Sequence, residues 1–301
     1  MWFWFSLIAL VCWSGSDLFS KIGCQDADDK YSHLKMVMAV GLVMGLHAAY
    51  EIFIGGTEIN GSIILTYLPV SLLYISSMTI GYIGLRYIEL SISSPICNSS
   101  GALVAVLSII TGSALLAAAQ YAAMALVCVG IIGLGIVEAR EDDDLRAARQ
   151  QASNHRYAKS ALALILPIIY CLLDALGTFA DSRVLETLDE DSANCAYELT
   201  FLLAAIVCFV YVVLIKKSKL LPKREAPKYA GALCETAGQF AYIYALADTE
   251  HVALAAPIIS AYCVASVLWS RIFLKEKLSW KHYAMIALVV AGIVILGVYD
   301  A

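Results

Sequence analysis

Ten apolar stretches, each long enough to cross a bilayer, follow one another along the chain. They lie near residues 2–23, 34–54, 64–86, 91–112, 118–138, 160–182, 195–215, 229–247, 252–273 and 280–298. No other feature limits the fold so strongly. Lipid offers the backbone no hydrogen-bond partners, so a crossing segment must be a helix or part of a closed barrel. These runs are too long for barrel strands and lack strict alternation. The predicted class is therefore an all-α polytopic membrane protein with ten transmembrane helices. Only 15% of the 301 residues are charged and 61% are hydrophobic, whereas a soluble domain carries about 25% charged residues. The first stretch has no basic leader and no A-x-A site after it, and reads as a retained span.

The longest polar stretch, EAREDDDLRAARQQASNHRYAK at residues 138–159, divides the chain near its middle. The two sides match at an offset of 162 (257 − 95). That offset pairs Pro95 with Pro257, Ser108 with Ser270, Tyr121 with Tyr283, Gly130 with Gly292 and Gly135 with Gly297. Without a gap it also pairs Tyr67 with Tyr229, Tyr82 with Tyr244, Gly15 with Gly177, Ser20 with Ser182 and Lys21 with Arg183. The reading is two homologous five-helix halves, 1–138 and 160–301, joined by a polar linker at 139–159. An odd number of spans per half turns the second half over, giving two inverted repeats. Of the 20 basic residues, 19 fall on the odd-numbered loops and their flanks; Arg183 alone falls elsewhere. The positive-inside rule then places the odd loops and the linker in the cytoplasm and both termini outside.

A charged side chain at mid-bilayer costs at least about 2.5–3.5 kcal/mol, so such residues should face a cavity or a partner. In the first span Asp17 and Lys21 share a face with Ser14, and Trp13, Ser16 and Ser20 form the adjacent strip. Lys21 is expected to be structural, reaching the headgroups as Arg183 would at the opposite interface. In the sixth span Tyr170, Asp174, Gly177, Thr178 and Asp181 fall on one helical face. Asp174 is near the middle; Asp181 is expected to be solvated at the outer end. The eighth span sets Glu235, Gln239 and Tyr242 in a third stripe, beside Gly238. Pro95 and Pro257 are candidate hinges, with kinks expected near Ser94 and Ala256 because proline disfavours helix in the residue before it. Asn98, Ser260, Tyr262 and Trp269 would line those spans, and Tyr74 and Ser77 the third. His47, Glu51, Arg86, Glu198, Asp248 and His251 fall toward span ends and read as interfacial. The glycines around Gly130 and Gly292 suit close packing of the fifth span on the tenth.

The run "HVALAAPIISAYCVASVLWSRIFLKEKLSWKHYAMIALVVAGIVILG", with its early Pro257 and its charged turn Lys275-Glu276-Lys277-Leu278-Ser279, resembles the end of an EamA-type transporter of the drug/metabolite transporter superfamily. The first half repeats the pattern as "LRYIELSISSPICNSSGALVAVLSIITG", although its turn from Gly112 to Leu116 has lost the acid. "CWSGSDLFSKIG" is similar to the family's first span. The resemblance implies ten helices in two inverted repeats and a central cavity lined by spans 1, 3, 4, 6, 8 and 9. It implies transport of small organic solutes without fixing one substrate. Asp17, Asp174 and Glu235 depart from the family pattern.

The nine cysteines are scattered without a CxxC pair and the five histidines are dispersed, so no metal, disulfide framework or cofactor is expected. No nucleophile–base spacing is present and the chain is not expected to be an enzyme. The expected function is alternating-access transport, most simply export, of an amino acid or related amine-bearing solute across the bacterial inner membrane. Asp17, Asp174 and Glu235 would meet the amine or a coupling proton, and Trp13, Tyr74, Tyr170, Tyr242, Tyr262 and Trp269 would wall the site. The partners would be the solute and the lipid bilayer, with no nucleic acid, and the chain would be a monomer. Two alternatives stand beside this: a nucleotide-sugar or sugar-phosphate transporter, which should need basic residues deep in the cavity, and a membrane protein that binds a ligand without moving it.

Overall fold

The computed structural model describes residues 1–26, 28–87, 90–111, 116–140, 161–274 and 278–300. The predicted linker therefore lies almost wholly outside the described residues, as do Gly112–Leu115 and the turn residues Lys275, Glu276 and Lys277. Within them the regular structure is helical, with π-helical ends at Glu51–Gly55, Val210–Ile215 and Ser270–Leu274: α1 Trp2–Cys24, α2 Ser32–Tyr50, α3 Gly61–Tyr87, α4 Leu90–Asn98, α5 Ser100–Ile110 and α6 Ala118–Ala139. The second half supplies α7 Ala161–Val184, α8 Glu190–Phe209, α9 Pro222–Ala247, α10 Val252–Ser260, α11 Tyr262–Trp269 and α12 Trp280–Asp300. Eight helical segments are long and apolar enough to cross a membrane, α4–α5 and α10–α11 each counting as one, and Trp280–Leu296 is a shorter apolar helix. The chain is an integral membrane protein.

Most of these helices follow the apolar runs. Two begin earlier than hydropathy alone predicts. Asp189 caps α8, its side chain accepting from the Ser192 N–H at 2.9 Å, which satisfies a donor the first turn leaves open. α9 starts at Pro222, whose missing N–H costs nothing in a first turn. Its polar opening is held by a buried ion-pair belt. Lys35 bonds Asp29 at 2.9 Å and stands 3.6 Å from Glu225, and Lys228 stands 3.1 Å from Glu225. All four side chains are buried.

The helices that carry Pro95 and Pro257 break later than predicted, whereas Pro69 in α3 and Pro167 in α7 interrupt nothing. Ser99 interrupts α4–α5 and Ala261 interrupts α10–α11, four residues beyond each proline instead of one before it. At both breaks ψ is close to zero, −9° at Ser99 and −1° at Ala261, which tightens the turn toward i→i+3 bonding. The cause at the first break is competition for carbonyls. Asn98 Nδ2 donates to the Ser94 carbonyl at 2.8 Å and Ser99 Oγ to the Pro95 carbonyl at 3.0 Å. Ala261 N donates to both the Pro257 and Ile258 carbonyls.

The most extensive helix pairings join the two halves. α1 packs on α9, α2 on α8, α3 on α7, α5 on α10 and α6 on α12. Glycines set the closest approaches. A Cβ on Gly130 would lie 2.4 Å from Val289 and one on Gly292 2.7 Å from the Ala123 carbonyl, so α6 and α12 meet almost backbone to backbone. α1, α3, α7 and α9 stand around the centre, with the broken helices α4–α5 and α10–α11 beside them.

Candidate functional site

These helices surround a central cavity. α1 contributes Trp13, Ser16 and Asp17; α3 contributes Tyr74; α4 contributes Asn98. α7 contributes Tyr170, Asp174 and Thr178; α9 contributes Glu235, Gln239 and Tyr242; Ser260 and Tyr262 flank the break at Ala261. The three polar stripes read from the sequence thus converge on one space.

Each acid is held by serine hydroxyls on one oxygen. Ser94 and Ser266 both donate to Asp17 Oδ2, at 2.5 and 2.8 Å. Ser100 donates to Asp174 Oδ2 at 2.7 Å and Ser16 to Glu235 Oε2 at 2.6 Å. The acids arrive on three different helices, and their anchoring serines come from α1, α4, α5 and α11. The site therefore exists only in the assembled bundle. Aromatic rings complete the wall: Trp13 lies 4.9 Å from Tyr242 and 5.8 Å from Tyr262 between centroids. No Lys, Arg or His is among the described lining residues.

Several expectations fail here. Ser77 is fully buried with its hydroxyl on the Tyr74 carbonyl, and does not line the cavity. Trp269 is also absent from the wall; its indole N–H donates to Ser14 Oγ at 3.0 Å, tying α11 to α1. Lys21 does not reach the headgroups. It is 1% exposed and donates to the Leu85 carbonyl at 2.9 Å near the end of α3. Arg183, its counterpart by offset, is at the surface with Glu186. Asp181 is not solvated. It is 0% exposed, accepting from the Tyr67 hydroxyl at 2.7 Å and the Tyr74 hydroxyl at 3.3 Å. Tyr74 also bonds Tyr242, and both hydroxyls stand within hydrogen-bonding distance of Thr178 Oγ1, the one proton of Tyr74 serving a single acceptor at a time. This cluster ties α3, α7 and α9 together at one end of the cavity. Glu198 is likewise buried, 2.9 Å from His47.

Sequence reasoning missed Tyr82, Ser94, Ser100 and Tyr197 in the wall. Ser94 and Ser100 flank Asn98 and could have been found from that neighbourhood. Tyr197 carried no such signal, since its helix was not assigned to the cavity.

Residues 161–298 match the model of the EamA-like transporter family. This part of the chain is an EamA-like domain. The EamA-like domain contributes Asp174 and Glu235, while Asp17 comes from the segment before it. A match to transporters agrees with a chain that is not an enzyme, and among the described residues no three His, Cys, Asp or Glu side chains are grouped to hold a metal ion. No curated protein sequence matches the chain. A solved structure described only as "Crystal structure of protein" is similar over 98% of this chain and 96% of its own, with a TM-score of 0.64 and 13% identity. At that identity the likeness carries the fold alone.

Proposed function

We propose that this chain is a secondary transporter that moves a small amine-bearing solute by alternating access around the central cavity. The observation that carries the reading is the convergence of Asp17, Asp174 and Glu235 from three helices on one aromatic-walled space, in a chain with an EamA-like domain. Carboxylates can meet the solute's amine or take up a coupling proton.

The architecture that goes with it is ten spans in two inverted five-helix repeats, 1–138 and 160–301, with the 139–159 linker in the cytoplasm and the chain a monomer in the bacterial inner membrane. The pairing pattern supports the repeats. Exchanging equivalent helices turns α1–α9 into α7–α3 and α5–α10 into α11–α4, both of which are pairings in the bundle, and returns α2–α8 and α6–α12 to themselves. The helix breaks at Ser99 and Ala261 obey the same offset of 162 (261 − 99) as the sequence. Pro95 and Pro257, four residues before those breaks, would mark where the halves flex.

Proteoliposome flux tests the reading. Asp174→Asn and Glu235→Gln, made separately, are each expected to cut solute accumulation driven by a pH gradient by about tenfold or more, in the range one positioned acid–base group supplies. Full gradient-driven accumulation in both variants would remove the coupling role.

A further inference from the structure

The charge inventory of the cavity narrows the solute. Three carboxylates face it and no cationic side chain is among its described lining residues. Their hydrogen bonds come from neutral hydroxyls and fall on one oxygen of each acid. Asp17 and Asp174 both line the cavity and are not fully buried. Carboxylates in a space of low dielectric require a cation or a proton.

A zwitterionic amino acid answers this poorly. Its amine would meet one carboxylate, but its own carboxylate would enter among like charges with no basic partner. Two neutral donors, Trp13 Nε1 and Gln239 Nε2, have no acceptor among the described residues. They do not rescue the amino acid. Gln239 follows Glu235 by one helical turn, so an anion held there would sit against the Glu235 carboxylate.

The rest of the wall favours cations. Asn98 spends its amide N–H groups on Ser94, which leaves its carbonyl oxygen as the free end. Trp13, Tyr82, Tyr170 and Tyr262 line the cavity, and aromatic rings attract an ammonium group placed over their faces.

We infer that the solute is a carboxylate-free organic cation with two amines, of the aliphatic diamine or polyamine class, and that Asp17, Asp174 and Glu235 divide its charges between them. The inference rests on the cavity being the solute site of a transporter. Two ammonium groups would neutralise two of the acids and leave the third for a proton.

Cadaverine, lysine and pentylamine test it. Lysine is cadaverine with one carboxylate added, and pentylamine is cadaverine with one amine removed. Binding to the purified full-length chain would be read by thermal shift and by displacement of radiolabelled cadaverine. Cadaverine should bind about tenfold or more tightly than either, since like-charge juxtaposition is strongly disfavoured in a desolvated site. Asp17→Asn and Asp174→Asn should each shrink the advantage of cadaverine over pentylamine. Lysine binding as well as cadaverine would overturn the inference, as would no response to cadaverine at millimolar concentration. Flux is measured separately. Cadaverine that binds in this order but is not carried into proteoliposomes would leave the solute class standing and remove transport.

Discussion

Trp13 owes its place in the cavity wall to a glycine. A Cβ on Gly238 would come within 2.4 Å of the Trp13 ring, so the indole packs directly against α9 at this glycine. Gly238→Ala must push that ring into the solute space. Overpacking of this kind costs about 1–3 kcal/mol. Most of the cost should vanish in a Trp13→Ala background, because residues in contact couple and distant ones add. Unfolding of the four proteins in detergent measures this; an equal cost in both backgrounds would show that the two do not meet. The residue scale is also where the sequence was hardest to read. Asp17, Asp174 and Glu235 stood out because an acid in an apolar run is rare and expensive. Their serine partners did not, because serine is common in spans and which one faces an acid is decided by packing across as many as 249 positions. Asp181 looked solvated for the same reason: its partner Tyr67 lies 114 residues away on another helix. Lys21 was placed by analogy with Arg183, and a carbonyl of α3 claimed it instead.

Among elements, the helices themselves were legible from hydropathy and their breaks were not. Pro95 and Pro257 lie in the helices that are interrupted, but Pro69 in α3 and Pro167 in α7 leave theirs continuous, so proline alone does not mark a break. The position of the break followed from Asn98 and Ser99 bonding back to carbonyls, a local competition that no apolar pattern records. The broken helices meet each other: Gly101 of α5 packs against Ser260 and the Ala256 carbonyl of α10. Packing of α6 on α12 was legible, since glycines at matching positions of two apolar runs are what close approach in a bilayer requires. Gly292→Val should separate that pair, because a Cβ there already meets the Ala123 carbonyl and Val127 at 2.7 Å. A loss of about 1–3 kcal/mol is expected, read as a lower midpoint of thermal unfolding in detergent. Gly61→Ala is the control, having no atom within 4 Å of the new methyl. A Gly292→Val protein as stable as that control would mean the two helices are free to part.

At the scale of the whole molecule, the distribution of basic residues sets an expectation for orientation. With both termini outside, epitope tags at either end should be digested by protease added to intact spheroplasts. A tag inserted near residue 150 should survive until the membrane is opened. Protection of the N-terminal tag would reverse the assignment. The pairings raise a different matter. α1, α2 and α3 find their principal partners in α9, α8 and α7, and Lys35 at the start of α2 is neutralised in part by Glu225 at the start of α9. During synthesis the first five spans therefore leave the ribosome long before the surfaces that cover them exist. A chain halted after the first half should be a substrate for quality-control proteolysis, and expressing the two halves as separate polypeptides in one cell should rescue both.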